Sequence, residues 1–163
     1  MQRVESLQDK FLNVLFFLIA LLVVVADQLS KAWIRANLAG GESLPAEGLF
    51  RLTRVHNSGA AFGLFQGQSF SLTIIALIGI IVVPLFALVF YRRFPFLDSR
   101  FVKPVFGLIL GGTAGNLIDR LRLGHVTDFI DIGIWPAFNI ADSAIVIGVI
   151  IFAYLLVFTR AKK

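Results

Sequence analysis

The stretch Phe11-Leu-Asn-Val-Leu-Phe-Phe-Leu-Ile-Ala-Leu-Leu-Val-Val-Val-Ala26-Asp27-Gln28-Leu29-Ser30-Lys31 decides the fold class. A hydrocarbon core of about 30 Å takes about 20 residues at about 1.5 Å each. The apolar run ending at Ala26 is short of that, so it crosses a bilayer only if the polar turn Asp27 to Lys31 lies near the membrane surface. A cleaved signal peptide is the competing reading, because Arg3 and Lys10 precede the run. Against it, the run continues into a polar helical turn and lacks a clear small-x-small cleavage site.

Three more apolar runs follow, giving expected spans over about 11–27, 69–91, 102–119 and 138–158, with loops over about 28–68 and 120–137. The chain is 58% hydrophobic and 15% charged over 163 residues, far from a soluble mixture. The expectation is an all-α integral membrane protein, a single polytopic domain over 1–163 with four transmembrane helices. Phe50-Arg51-Leu52-Thr53 alternates apolar and polar, and Gly59, Gly63 and Gly67 supply turn points. A small extracytoplasmic β-element resting on the membrane surface is therefore expected in the first loop.

The formal charge of +5 would suggest nucleic acid in a soluble chain, but here Lys and Arg are read by loop as orientation signals and no nucleic-acid partner is expected. With four spans, Arg3, Lys10, Arg92, Arg93, Arg100, Lys103, Arg160, Lys162 and Lys163 share one side. The positive-inside rule makes that side, with both termini, cytoplasmic. The longer loop with Lys31, Arg35, Arg51 and Arg54 then faces outward. So does the segment Asp119 to Pro136, where Trp135 sits at interface depth.

Span three carries Gly107, Gly111 and Gly115 at four-residue intervals, with Gly112 alongside. This small-xxx-small ladder admits a neighbouring helix closely and makes span three central. It can be satisfied within one chain, so a monomer is expected. Asn116 and Arg120 follow at i and i+4 on one face, next to Asp119.

Ionisable residues at membrane depth are candidate sites by default. Asp27 and Lys31 have the spacing of a helix-end ion pair, and Asp119 with Arg120 reads the same way. Asp128 follows the third span and Asp142 opens the fourth, so antiparallel packing would bring both to one outward surface. Asp142 as a plain helix cap and Asp128 as a solvated loop acid are the bland alternatives. The absence of cysteine removes thiolate chemistry and sulfur-ligated metals. His56 and His125 lack the spacing of a zinc peptidase helix, and no lysine is placed to activate a serine. Magnesium held by Asp119, Asp128 and Asp131 in a metal-dependent lipid-phosphate enzyme is the serious rival. A transporter or channel whose acids bind cations is the non-enzymatic one.

Gly115-Asn116-Leu117-Ile118-Asp119-Arg120, Val126-Thr127-Asp128-Phe129-Ile130 and Phe138-Asn139-Ile140-Ala141-Asp142-Ser143 resemble bacterial lipoprotein signal peptidase, signal peptidase II. Asp27-Gln28-Leu29-Ser30-Lys31 and Asn57-Ser58-Gly59-Ala60-Ala61-Phe62 extend the resemblance over essentially the whole chain. It implies an aspartic peptidase of the bacterial inner membrane that cuts prolipoproteins before their diacylglyceryl-modified cysteine. It further implies that Asp128 and Asp142 are the catalytic dyad, that Asn57, Asn116, Arg120 and Asn139 support it, and that Asp27 and Lys31 shape the site. Globomycin would occupy that site, and both signal peptide and lipid would reach it through the bilayer. Two carboxyls ~3 Å apart share one proton, so one takes a proton from water while the other stabilises the oxyanion. No metal or cofactor is required.

Overall fold

The computed structural model describes residues 7–59, 65–90 and 100–160. Arg3, Arg92, Arg93, Lys162 and Lys163, which entered the orientation count, lie outside the described residues. So do Gly63 and the Ala60, Ala61 and Phe62 part of the Asn57 motif. The elements run α1 (Leu7–Asn37), β1 (Ser43–Leu44), β2 (Arg51–Asn57), α2 (Ser69–Leu85), α3 (Val102–Leu123), β3 (Val126–Asp131) and α4 (Ile140–Arg160). Three helical stretches, Leu7–Asn37, Ser69–Val89 and Ile140–Phe158, are long and apolar enough to cross a membrane. Their exposed side chains, among them Leu21, Leu22, Ile75, Ile81, Ile150 and Val157, form an outer surface suited to lipid and unsuited to water.

α3 is different in kind. At 22 residues it is about 33 Å long, yet it buries Lys103, Asn116 and Asp119 along with its glycines. Its polar groups are tolerated because α1, α2 and α4 pack around it and supply partners. The glycine ladder explains how closely they pack. A Cβ on Gly107 would stand 2.7 Å from the carbonyl oxygen of Phe16, and one on Gly111 would stand 2.6 Å from that of Ala20. Gly112 faces the opposite neighbour and would collide with the Ala141 carbonyl of α4. The i, i+4 spacing serves α1 and the adjacent position serves α4, so one helix seats two.

α1 differs from its expected end. It continues past Asp27 to Asn37, because Asp27, Lys31 and Arg35 at i, i+4 and i+8 find partners on α4, on α3, and on α3 and β3 respectively. The loop placed at about 28–68 thus begins as helix. α2 contains Pro84 and passes into a π-helical turn at Phe86–Phe90. Proline cannot donate to the i−4 carbonyl and crowds it, which loosens the ladder there. At the other end of the bundle Lys103 donates to Asn13, setting the beginnings of α1 and α3 side by side.

The β-element is a three-stranded antiparallel sheet in the order β1-β2-β3. β2 falls where the alternating segment was noted, but the second outward segment supplies β3 as well. Leu52 pairs with Ile130 and Val55 with Asp128, so β2 spends one extra residue between them, a bulge. After it, His56 faces Thr127 and Asn57 faces Val126. Phe138 then pairs back onto Ile130, which delivers Asn139 and the start of α4 beside β3.

The ladder makes a specific demand. Gly111→Ala should lower stability by about 1–3 kcal/mol, because its methyl meets α1 backbone that cannot rotate away. Gly79→Ala, whose Cβ would lie 3.5 Å from Thr113 Cγ2, should stay near wild type. Unfolding of both variants in detergent, followed by circular dichroism, makes the comparison; equal midpoints would contradict the packing assigned to Gly111.

Candidate active site

The sheet, the last turns of α1 and α3 and the first turn of α4 meet at one end of the bundle, where Asp128 and Asp142 line a common cavity of about 500 Å³. Local sequence sets each of them. At the start of α4, Asn139 Oδ1 accepts the Asp142 N–H at 2.8 Å and Asp142 Oδ2 accepts the Asn139 N–H at 3.3 Å. This reciprocal capping box satisfies two otherwise orphaned donors. The helix-cap reading of Asp142 therefore holds for one oxygen, while Oδ1 accepts from Asn116 Nδ2 at 2.7 Å. Asp128 is 1% exposed, which removes the reading as a solvated loop acid. Its Oδ1 accepts from Asn139 Nδ2 at 2.7 Å and its Oδ2 from Asn57 Nδ2 at 2.8 Å.

Asn116 and Asn139 join the two carboxyls. Asn139 Nδ2 also reaches Asn116 Oδ1 at 3.2 Å, and the same oxygen accepts from Lys31 Nζ at 2.9 Å. With two donors on its oxygen, the Asn116 amide can turn only its NH₂ toward Asp142. Lys31 is fully buried and also bridges Asp27 at 2.9 Å and Asp119 at 3.4 Å. Asp27 Oδ1 accepts the Ala141 N–H at 3.0 Å, and Asp119 Oδ2 accepts the Thr127 N–H at 2.9 Å. One ion cluster thus ties α1 to α3, α4 and β3.

Burial first, and then the negative charge of Asp142, push Asp128 up to about 7. The hydrogen bonds from Asn57 and Asn139 and the charge of Lys31 pull the other way. A proton is therefore available on this carboxyl near neutrality. Arg120 donates to the Gly59 carbonyl at 3.0 Å, holding the Asn57 turn against α3, and its charge faces Asp142, Asp128 and Asp119.

All nine residues singled out from the sequence gather here, in three tiers with Arg120 at one side. Asp128, Asp142 and Asn57 line the cavity, and Asn116 and Asn139 stand directly behind them. Asp27, Lys31 and Asp119 form the buried cluster farther back, and Arg120 closes the side toward Gly59. The acids considered for magnesium do not converge. Asp119 is committed to Lys31 and Arg35, and Asp131 pairs with Arg51 at 2.5 Å.

Sequence reasoning left out Gln28 and Arg35. Gln28 Nε2 spans Asp27, the Gly115 carbonyl and Asp119, and Arg35 bridges Asp119 and the Thr127 hydroxyl. The i, i+4, i+8 row Asp27, Lys31, Arg35 carried the signal for the second.

Comparison with known proteins shows what the chain is similar to. Residues 19–158 match the family described as signal peptidase (SPase) II. A lipoprotein signal peptidase of Dehalococcoides mccartyi is 49% identical over 85% of this chain and 86% of its own length. One of Moorella thermoacetica is 49% identical over 91% of this chain and 96% of its own. A solved bacterial membrane enzyme superposes with a TM-score of 0.80 at 33% identity, over 91% of this chain and 90% of that one. With a family match over residues 19–158 and relatives 49% identical over most of their length, this chain belongs to the signal peptidase II family.

Proposed function

We propose that the chain is an aspartic endopeptidase that removes the signal peptide from diacylglyceryl-modified prolipoproteins, cutting before the lipidated cysteine. The observation that carries this reading is the pairing of Asp128 and Asp142 on one cavity through the amides of Asn116 and Asn139. The ionised carboxyl takes a proton from a water as that water attacks the scissile carbonyl. The protonated one stabilises the oxyanion and passes its proton to the leaving amine. Asn57 and Asn139 hold Asp128, Asn116 holds Asp142, and Lys31, Asp27 and Asp119 fix the supports from behind.

The cavity suits a substrate that is part peptide and part lipid. Its polar end is the two aspartates and Asn57, while Trp135, Val146 and Ile147 make an apolar wall running down α4. An apolar signal helix and a diacylglyceryl chain enter along that wall from the bilayer, and water comes from the sheet side. We place the protein in the bacterial cytoplasmic membrane as a monomer, both termini in the cytoplasm and the dyad at the outer, periplasmic face. Globomycin would bind in the same cavity.

Purified protein in detergent should cleave a lipidated prolipoprotein whether or not a chelator is present. Asp128→Asn and Asp142→Asn should each lower kcat by at least about 100-fold while keeping the wild-type unfolding midpoint; retained cleavage in either variant would sink the dyad.

A second expectation concerns pH. Cleavage requires the proton that Asp128 holds up to about 7, so kcat/KM should fall as pH rises through that region. Asn57 Nδ2 favours the ionised form of Asp128, so Asn57→Ala should raise its pKa and move the falling limb to higher pH. A pH profile with the limb unmoved or moved toward acid contradicts that role for Asn57.

A further inference from the structure

The chain holds two histidines and no cysteine, and the fold brings both imidazoles together from positions far apart in sequence. His56 on β2 and His125 in the turn between α3 and β3 lie with ring centroids 4.2 Å apart and planes inclined by 35°. We propose that His56 and His125 form a binding site for a borderline divalent cation such as Cu²⁺ or Zn²⁺, separate from the peptidase dyad. Three observations support it.

Neither ring hydrogen-bonds to any described residue, so their ring nitrogens are free to ligate. The sheet fixes their spacing: His56 pairs with Thr127, and Gly124, in the left-handed conformation at the end of α3, turns the chain directly into His125. His56 is exposed to solvent and His125 partly so, which gives an ion a path.

The surrounding charges set the strength and the type of ion. Arg54 opposes a cation, but its guanidinium is drawn onto the carbonyls of Arg35 and Leu38. The turn at Gly40 packs on His56, and its one acid, Glu42, is occupied by the Ala39 N–H at 2.7 Å. Two imidazoles with water completing the shell select Cu²⁺, Ni²⁺ or Zn²⁺ over Mg²⁺ or Ca²⁺. The site adjoins the catalytic end, since His56, Asn57 and Asp128 share the lining of a second cavity of about 230 Å³. A bridging ion would pin β2 one residue before the Asn57 that holds Asp128.

The test is a titration of the tag-free protein in detergent with Cu²⁺ at pH 7.5, read by electron paramagnetic resonance. One Cu²⁺ per chain with two nitrogen ligands is expected, displaced by a large excess of Zn²⁺ and not by the same excess of Mg²⁺, and lost at pH 5. His56→Ala and His125→Ala should each weaken binding by about tenfold or more and remove one nitrogen from the spectrum, with unfolding midpoints in chelator unchanged. Binding in both variants equal to wild type, or displacement by Mg²⁺ as readily as by Zn²⁺, would overturn the proposal.

Discussion

The buried ammonium of Lys31 is the interaction on which the rest depends. It is fully enclosed; it donates to the Asn116 amide oxygen and is ion-paired with Asp27 and Asp119. A lone charge in such a place would cost several kcal/mol; two carboxylates and an amide oxygen offset that cost. Each partner then carries a second duty. Asp27 caps α4, Asp119 holds β3 through Thr127, and Asn116 turns its NH₂ onto Asp142. Removing the charge would leave the buried Asp27 without its ion-pair partner, leave Asp119 to Arg35 alone and free the Asn116 amide to flip, so fold and site would be weakened together.

The glycines of α3 make that cluster reachable. Lys31 and Asp27 can meet α3 side chains only if α1 lies almost against the α3 backbone, and Gly115 stands where a Cβ would be 2.6 Å from Asp27 Oδ2. The same closeness on the other side seats Ala141 beside Gly112, placing Asp142 one residue later. Packing and chemistry are therefore one constraint: the small residues that let three helices touch also set the height at which their polar groups meet.

Much of this was legible in the sequence, for identifiable reasons. Long apolar runs announce spans because lipid demands them, and spacing makes Asp128 and Asp142 candidates among the flanking acids, while the resemblance to the family's motifs is what distinguishes them from Asp27, Asp119 and Asp131. Other parts were hidden. β3 is buried on both faces from Val126 to Phe129, so its residues lack the alternation that marks a half-exposed strand. The extension of α1 to Asn37 looked like loop because its polar residues are read as solvated until α3 is known to face them. His56 and His125 meet through the register of β2 on β3, which a one-residue bulge sets and no local signal encodes.

The central claim is that Asp128 and Asp142 behave as one titrating pair. Infrared difference spectroscopy of the protonated carboxyl band, followed against pH, measures this directly. Replacing Asp142 by Asn removes the neighbouring charge that helps hold Asp128 up at about 7, so the Asp128 band should titrate at distinctly lower pH in that variant. An Asp128 titration unchanged in Asp142→Asn, or shifted upward, would contradict the account.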